Sequence, residues 1–156
     1  MTRPLKKVLV LPHREAITHL GSFGAQREKS CWIAVFKGKI PESAKGVRPR
    51  FFAFLEFDDV EKEETAYAFG LLLFDEEQAR WAAQTLTEAL EAGCEEFIFS
   101  CDAGRSRSAG LAEAFATFLK ELEIPFEKKH SRPPSPNPLA KGRLYQALKG
   151  FAQKLL

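Results

Sequence analysis

One short segment of this chain combines a cysteine, a glycine and an arginine at a spacing that could do chemistry. It reads Phe97-Ile98-Phe99-Ser100-Cys101-Asp102-Ala103-Gly104-Arg105-Ser106-Arg107-Ser108-Ala109-Gly110. An apolar, strand-prone run delivers Cys101 to its end, and a helical pattern begins at Arg107. Successive backbone N–H groups from Asp102 to Arg107 could wrap the oxygens of one phosphate. The start of the helix adds partial positive charge, and Gly104 puts no side chain in the turn. The planar fork of Arg107 can grip two oxygens. Such surroundings favour the thiolate of Cys101, which is the nucleophilic form. The chemistry suited to these residues is attack by sulfur on a phosphate monoester.

The elements that must position them follow from hydropathy patterning. Lys7–Leu11 and Cys31–Phe36 are β-branched or apolar runs and read as strands. A short helix is expected over His13–Leu20. Lys37–Arg50 carries Gly38, Pro41, Gly46 and Pro49 with a basic excess, and reads as a solvated loop. Arg50–Phe57 is a third strand, ending at Asp58-Asp59. Within Glu61–Phe74 the charged start reads as a loop or helix turn, and Ala68–Phe74 as a short strand or core segment. Asp75 is an N-cap for a helix over Glu76–Ala92 that stops at Gly93. Glu96–Ser100 is a strand and Arg107–Leu122 a helix, with Leu111, Phe115, Phe118, Leu119 and Leu122 on one stripe. Pro125–Lys129 is a last strand. Asn137-Pro138 then caps and opens a final helix that buries Leu144, Leu148, Phe151 and Leu155.

Strands alternating with helices predict a layered α/β/α domain with a mainly parallel sheet of four to five strands. Ligands bind beyond the carboxyl ends of such strands, which directs attention to Pro12-His13, Asp58-Asp59 and Cys101.

Composition sets the outer bounds. The chain has 156 residues, 45% hydrophobic and 28% charged, enough for one domain over 1–156 that buries its core without staples. Lys plus Arg number 23 against 21 Asp plus Glu, and a net charge of +2 is too small for a protein that coats nucleic acid. No apolar run has the length of a membrane span, and Val8–Leu11 is too short for a signal-peptide core. Cys31, Cys94 and Cys101 form an odd, sparse set that fits a reducing compartment. There is no CxxC pair, and His13, His19 and His130 are scattered, so no metal and no cofactor are expected. A cytoplasmic monomer is the expectation.

Cys101-x5-Arg107-Ser108 resembles the signature of the cysteine-dependent tyrosine and dual-specificity phosphatases. The wording CDAGRSRS is similar to the dual-specificity branch and to small bacterial tyrosine-phosphatase-like proteins. The resemblance is strongest over Phe97–Ala114. Weaker similarity covers most of the chain in element order, including the Pro-Asn-Pro segment before the last helix. It implies a metal-independent phosphatase acting on phosphotyrosine or dual-specificity protein substrates, or another phosphate monoester. Cys101 would form a phosphocysteine, and Arg107 would bind the phosphate and the transition state. Ser108 would hydrogen-bond to the Cys101 sulfur and ease hydrolysis of the intermediate. The amides of Asp102, Ala103, Gly104, Arg105 and Ser106 would hold the phosphate.

The leaving oxygen also needs a proton. The family takes it from an Asp on an upstream loop, and Asp59-Val60 matches the acidic step of the bacterial relatives. Asp59 is the first candidate, Asp58 the second, and Asp75 reads better as a cap. The longer separation from Cys101 implies an insertion in Glu61–Phe74. Adjacent carboxylates would each favour holding a proton.

Two positions depart from the family pattern. Ser100 stands where the family has a His directly before the nucleophile, and Asp102 sets a carboxylate beside a dianion site unless it points outward. Arg105 could offset that charge and favour highly charged substrates such as phosphoinositides or nucleotide 5′-phosphates. The alternative to an enzyme is a catalytically silent phosphate-binding module. A rhodanese-type sulfurtransferase would close its loop one residue sooner, where this chain has Ser106. An arsenate reductase would need a resolving thiol, for which Cys94 is the candidate. Cys94 could also guard an oxidised Cys101, although a small buried residue is its ordinary reading, as it is for Cys31. His13 reads as a surface turn residue, or else as part of the pocket border. Trp32 and Trp81 could serve the core or a substrate rim.

Overall fold

The computed structural model describes residues 5–155, with side chains as far as Ala152. The expected burial of Leu155 therefore lies outside the described residues. Five strands form one all-parallel sheet: β1 (Lys6–Pro12), β2 (Ser30–Val35), β3 (Phe51–Leu55), β4 (Glu96–Cys101) and β5 (Phe126–His130). Their order across the sheet is β3-β2-β4-β1-β5. The helices are α1 (His13–Gly21), α2 (Glu42–Lys45), α3 (Glu63–Phe69), α4 (Glu76–Glu91), α5 (Arg107–Glu121) and α6 (Pro138–Leu155).

Period-2 alternation along the strands divides the core into two layers. Val8, Val10, Cys31, Ile33, Val35, Phe97 and Phe99 face one side, where residues of α4, α5 and α6 cover them. Trp32, Ala34 and Ile98 face the other, against Ala16 and Leu20 of α1 and Ala44 of α2. Both faces of β2 and β4 are covered, which explains why these strands read as unbroken apolar runs rather than alternating ones.

From β1 the chain moves to β2 and on to β3 at one edge; it then reverses, inserting β4 between β2 and β1 and continuing past β1 to β5. The carboxyl end of β4 thus lies where the direction of winding reverses, the usual crevice of such sheets. Phe115 of α5 packs on Phe97 and Phe99 of β4, with ring centroids 4.7 and 5.7 Å apart. All three rings are fully buried, and each contributes roughly 1.5–3 kcal/mol. That packing clamps helix to strand on either side of the loop 102–106.

The elements differ from expectation in three places. The basic segment Lys37–Arg50 is not all loop: Pro41 opens the short helix α2, whose Ala44 is buried. Strand β3 stops at Leu55 rather than Phe57. Ala68–Phe74 is not a strand. Helix α3 runs to Phe69 and ends at Gly70 in the left-handed conformation, φ 64°. Past that cap, the Leu72 backbone is taken by Asp58, whose N–H donates to Leu72 O at 2.9 Å while Leu72 N–H donates to Asp58 Oδ2 at 2.7 Å. No strand can then claim those groups.

Candidate active site at the carboxyl end of the sheet

Cys101 ends β4 with its side chain buried, and Ser108 lies in the first turn of α5. The Ser108 hydroxyl sits 3.1 Å from Cys101 Sγ, placed to donate to it. Between them, among the described residues, none of the backbone N–H groups of Asp102 to Arg107 donates to a protein acceptor. Such a run of amides at a helix start forms an anion-binding concavity.

Gly104 decides how this loop sits. Its φ is 67°, and a Cβ there would come within 2.5 Å of Pro12 N and 2.7 Å of Leu11 C. The loop therefore rests on the end of β1 through a contact that only glycine permits. The Arg107 guanidinium is anchored by Nη1, which donates to Phe57 O at 3.2 Å just beyond β3. The segment 102–107 is thus braced by the ends of two other strands.

Asp59 lies directly across from the loop. Its Oδ1 accepts from the Ser106 hydroxyl at 2.8 Å and from Asn137 Nδ2 at 2.7 Å. Its exposed carboxylate faces the loop 102–106. Asp58 is engaged elsewhere: besides the Leu72 N–H, it pairs with Lys37 at 3.4 Å. That amide first, then the Lys37 charge, holds its carboxyl below the ordinary range. For Asp58 this corrects the expectation that its acidic neighbour favours protonation, because the bond from Leu72 N–H and the Lys37 charge prevail. Asp75 is the N-cap of α4, with Oδ1 accepting from Gln78 N at 2.9 Å.

Asn137 links Asp59 to the scaffold. Its Oδ1 accepts from Leu139 N and Ala140 N at 3.0 Å, capping α6. Its Nδ2 reaches Asp59 and Val60 O, and its backbone N–H donates to Ser106 O at 3.0 Å. Gly110 permits this approach, since a Cβ there would fall 2.5 Å from Asn137 O. Only the capping half of this role was legible in the sequence. The other half comes from a residue 78 positions from Asp59 in the chain.

His13 is the clearest correction. It is buried rather than a surface turn residue. Its ring stacks on Phe36 with centroids 4.0 Å apart. Nε2 lies 2.8 Å from Val35 O and Nδ1 2.9 Å from Ser100 Oγ, while Trp32 Nε1 donates to that same Oγ at 2.8 Å. A carbonyl only accepts, so the proton is on Nε2 and the Ser100 hydroxyl donates to Nδ1. Burial pushes the imidazole below its ordinary 6.5, against the Val35 bond and the Asp102 charge and in the same sense as Arg107. Trp32 therefore serves both core and site floor, while Trp81 is 45% exposed on α4.

Asp102 points outward, its side chain 70% exposed and 3.7 Å from His13 Nε2. Ala103 is exposed, and Arg105 Nε donates to Pro133 O at 3.3 Å. Cys94 cannot meet Cys101. It precedes the start of β4 and Cys101 ends it, roughly 20 Å apart at strand rise, well beyond disulfide reach. Cys31 and Cys94 are buried free thiols, each pushed up by burial. Among the described residues no group of three or more His, Cys, Asp or Glu is placed to hold a metal ion, and no helix is long and apolar enough to cross a membrane. Compared with models of known protein families the chain matches none, and a search of curated proteins finds no match.

Proposed function

We propose that this protein hydrolyses phosphate monoesters, phosphotyrosine or other phosphorylated protein side chains first among them, through a phosphocysteine intermediate. The observation that carries the reading is one constellation. A buried Cys101 bonded to Ser108 stands at the foot of a loop whose amides, Asp102 to Arg107, have no protein acceptor among the described residues, with Asp59 across from them.

In the first step Cys101 Sγ attacks phosphorus in line with the leaving oxygen. Loop amides and the Arg107 fork stabilise the charge on the three equatorial oxygens. Asp59 gives its proton to the departing oxygen. In the second step Asp59, now a carboxylate, takes a proton from water as its oxygen attacks phosphorus. The S–P bond breaks, the Ser108 hydroxyl supports the returning thiolate, and inorganic phosphate leaves. Every role belongs to a residue of this chain. The free thiols accord with a reducing cytoplasm, and the reading is of a monomer that needs no cofactor.

The test is hydrolysis of a generic aryl phosphate in the presence of a chelator. Turnover that disappears in Cys101→Ser, with thermal unfolding unchanged, is expected. A Cys101→Ser protein that still turns over would overturn the reading. Phosphate affinity with no product burst at any pH would establish a silent binding module instead.

A further inference from the structure

A groove of about 700 Å³ opens beside the phosphate loop and shares Asp102, Ala103 and Arg105 with it. Three guanidinium side chains line it, from three separate segments. Arg14 comes from the first turn of α1, Arg105 from the loop itself, and Arg132 from the connection after β5. Binding one phosphate against Cys101 calls on loop amides and Arg107, and on none of these three.

The charges in the groove do not cancel. Arg14 and Arg105 form no ion pair among the described residues. Arg132 meets Glu15 at 3.8 Å, both side chains about half exposed at 49% and 40%. A surface pair at that separation is weak and yields to a dianion. The carboxylate of Asp102 is mostly solvated, and His13 is neutral for the reasons given above. Three fixed cations therefore face two carboxylates, one of them solvated and the other loosely held. Guanidinium forks match phosphate geometry, and the volume is that of a small-ligand site.

We propose that this groove is a second-anion subsite. It takes a second phosphate carried on the same small molecule whose first phosphate sits against Cys101, so the substrate class is a compact bisphosphate. This rests on the phosphatase reading. The groove shares its wall with the phosphate loop, which keeps the two anions within the reach of one small skeleton. Arg105, held at Nε by Pro133 O, stands at the boundary between them.

The experiment compares α,ω-alkanediol bisphosphates of increasing length with the matching monoalkyl phosphates. The bisphosphate is expected to have a kcat/KM at least about ten-fold higher, as one charge-assisted contact commands, with an optimum chain length. In Arg14→Ala/Arg132→Ala, both exposed positions, that ratio falls toward one. A ratio near one in the unaltered protein, or a preference that survives the double substitution, overturns the subsite. A doubly phosphorylated peptide that shows the preference when no alkanediol bisphosphate does also overturns it. If neither compound is turned over, calorimetric titration of Cys101→Ser with the same pair decides the groove, and the phosphatase reading itself fails only if the aryl phosphate is not turned over either. Tighter bisphosphate binding that is lost in the double variant supports it, and equal affinities overturn it.

Discussion

Nδ1 of His13 lies 2.9 Å from Oγ of Ser100, the residue directly before Cys101. The donors run in one direction, from Trp32 Nε1–H to Ser100 Oγ, from Ser100 Oγ–H to His13 Nδ1, and from His13 Nε2–H to Val35 O. Protonation of Nδ1 would turn the acceptor of this chain into a donor and leave the Ser100 hydroxyl proton without its partner. Burial penalises the imidazolium in the same sense.

A pH dependence of stability follows. The unfolded chain takes up a proton on His13 near the ordinary 6.5, while the folded chain does so only at lower pH. The contribution is complete above 6.5 and is lost as pH falls from there toward the folded value. His130, lowered mainly by burial and then by the Lys128 charge, acts in the same sense. Asp58 also loses its contribution on acidification, but only below its ordinary 3.8. Thermal unfolding between pH 7.5 and about pH 5 should show a falling Tm. In His13→Gln that acid slope should shrink, and at neutral pH stability should drop by about 1–3 kcal/mol from the disrupted buried bonds. An unchanged slope would refute the assignment.

Asp59→Asn should lower kcat by about 10²–10⁴ with little change in KM. The amide can still accept from Ser106 and Asn137 but cannot give up a proton to the leaving group. Asp58→Asn should cost far less, since that carboxylate is committed to Leu72 and Lys37. Steady-state kinetics on an aryl phosphate separate the two. A larger loss in Asp58→Asn would reverse the acid assignment.

Asn137 holds two roles that substitution can split. Asn137→Ala removes the cap of α6 and both Nδ2 bonds, and should destabilise by about 1–2 kcal/mol while lowering turnover. Asn137→Asp retains an acceptor for Leu139 N and Ala140 N but no donor for Asp59. Its stability should stay closer to that of the parent while kcat still falls. Equal activity in Asn137→Asp and the parent would reduce Asn137 to a cap.

Gly104→Ala should dislodge the loop from the end of β1. A Cβ 2.5 Å from Pro12 N cannot be absorbed by a flexible side chain, because the obstacle is backbone, and the φ of 67° is strained for alanine as well. The loop must lift off β1. Overpacking and strain cost about 1–3 kcal/mol, and a displacement of that size costs about 10² in turnover. Full activity in the variant would show that the loop can reseat.

Peroxide treatment should inactivate through Cys101 without forming a Cys94–Cys101 disulfide, since β4 holds the two thiols at opposite ends. Recovery on addition of a thiol should be the same in Cys94→Ala. Mass mapping of a Cys94–Cys101 bridge in the folded protein would contradict the geometry.

What could be read from the chain alone was whatever is local. The run from Phe97 to Gly110 shows a strand, a turn that only glycine enters and a helix start, because the sequence neighbours of Cys101 are also its spatial neighbours. The parallel layers were legible as well, since unbroken apolar runs such as Cys31–Phe36 make sense only with both faces covered. Nothing adjacent to His13 in the sequence indicates its burial. Its partners are Val35, Phe36 and Ser100, brought together by β4 inserting between β1 and β2. Asn137 was legible as a cap because capping is local, whereas its bond to Asp59 spans the fold. The same holds for the groove, whose arginines at 14, 105 and 132 are unremarkable one at a time. Local sequence specified where Cys101 and its loop would sit. Tertiary structure alone decided which carboxylate faces the loop, which histidine braces it and which cations surround it, because those relationships depend on strand order and on packing between distant segments.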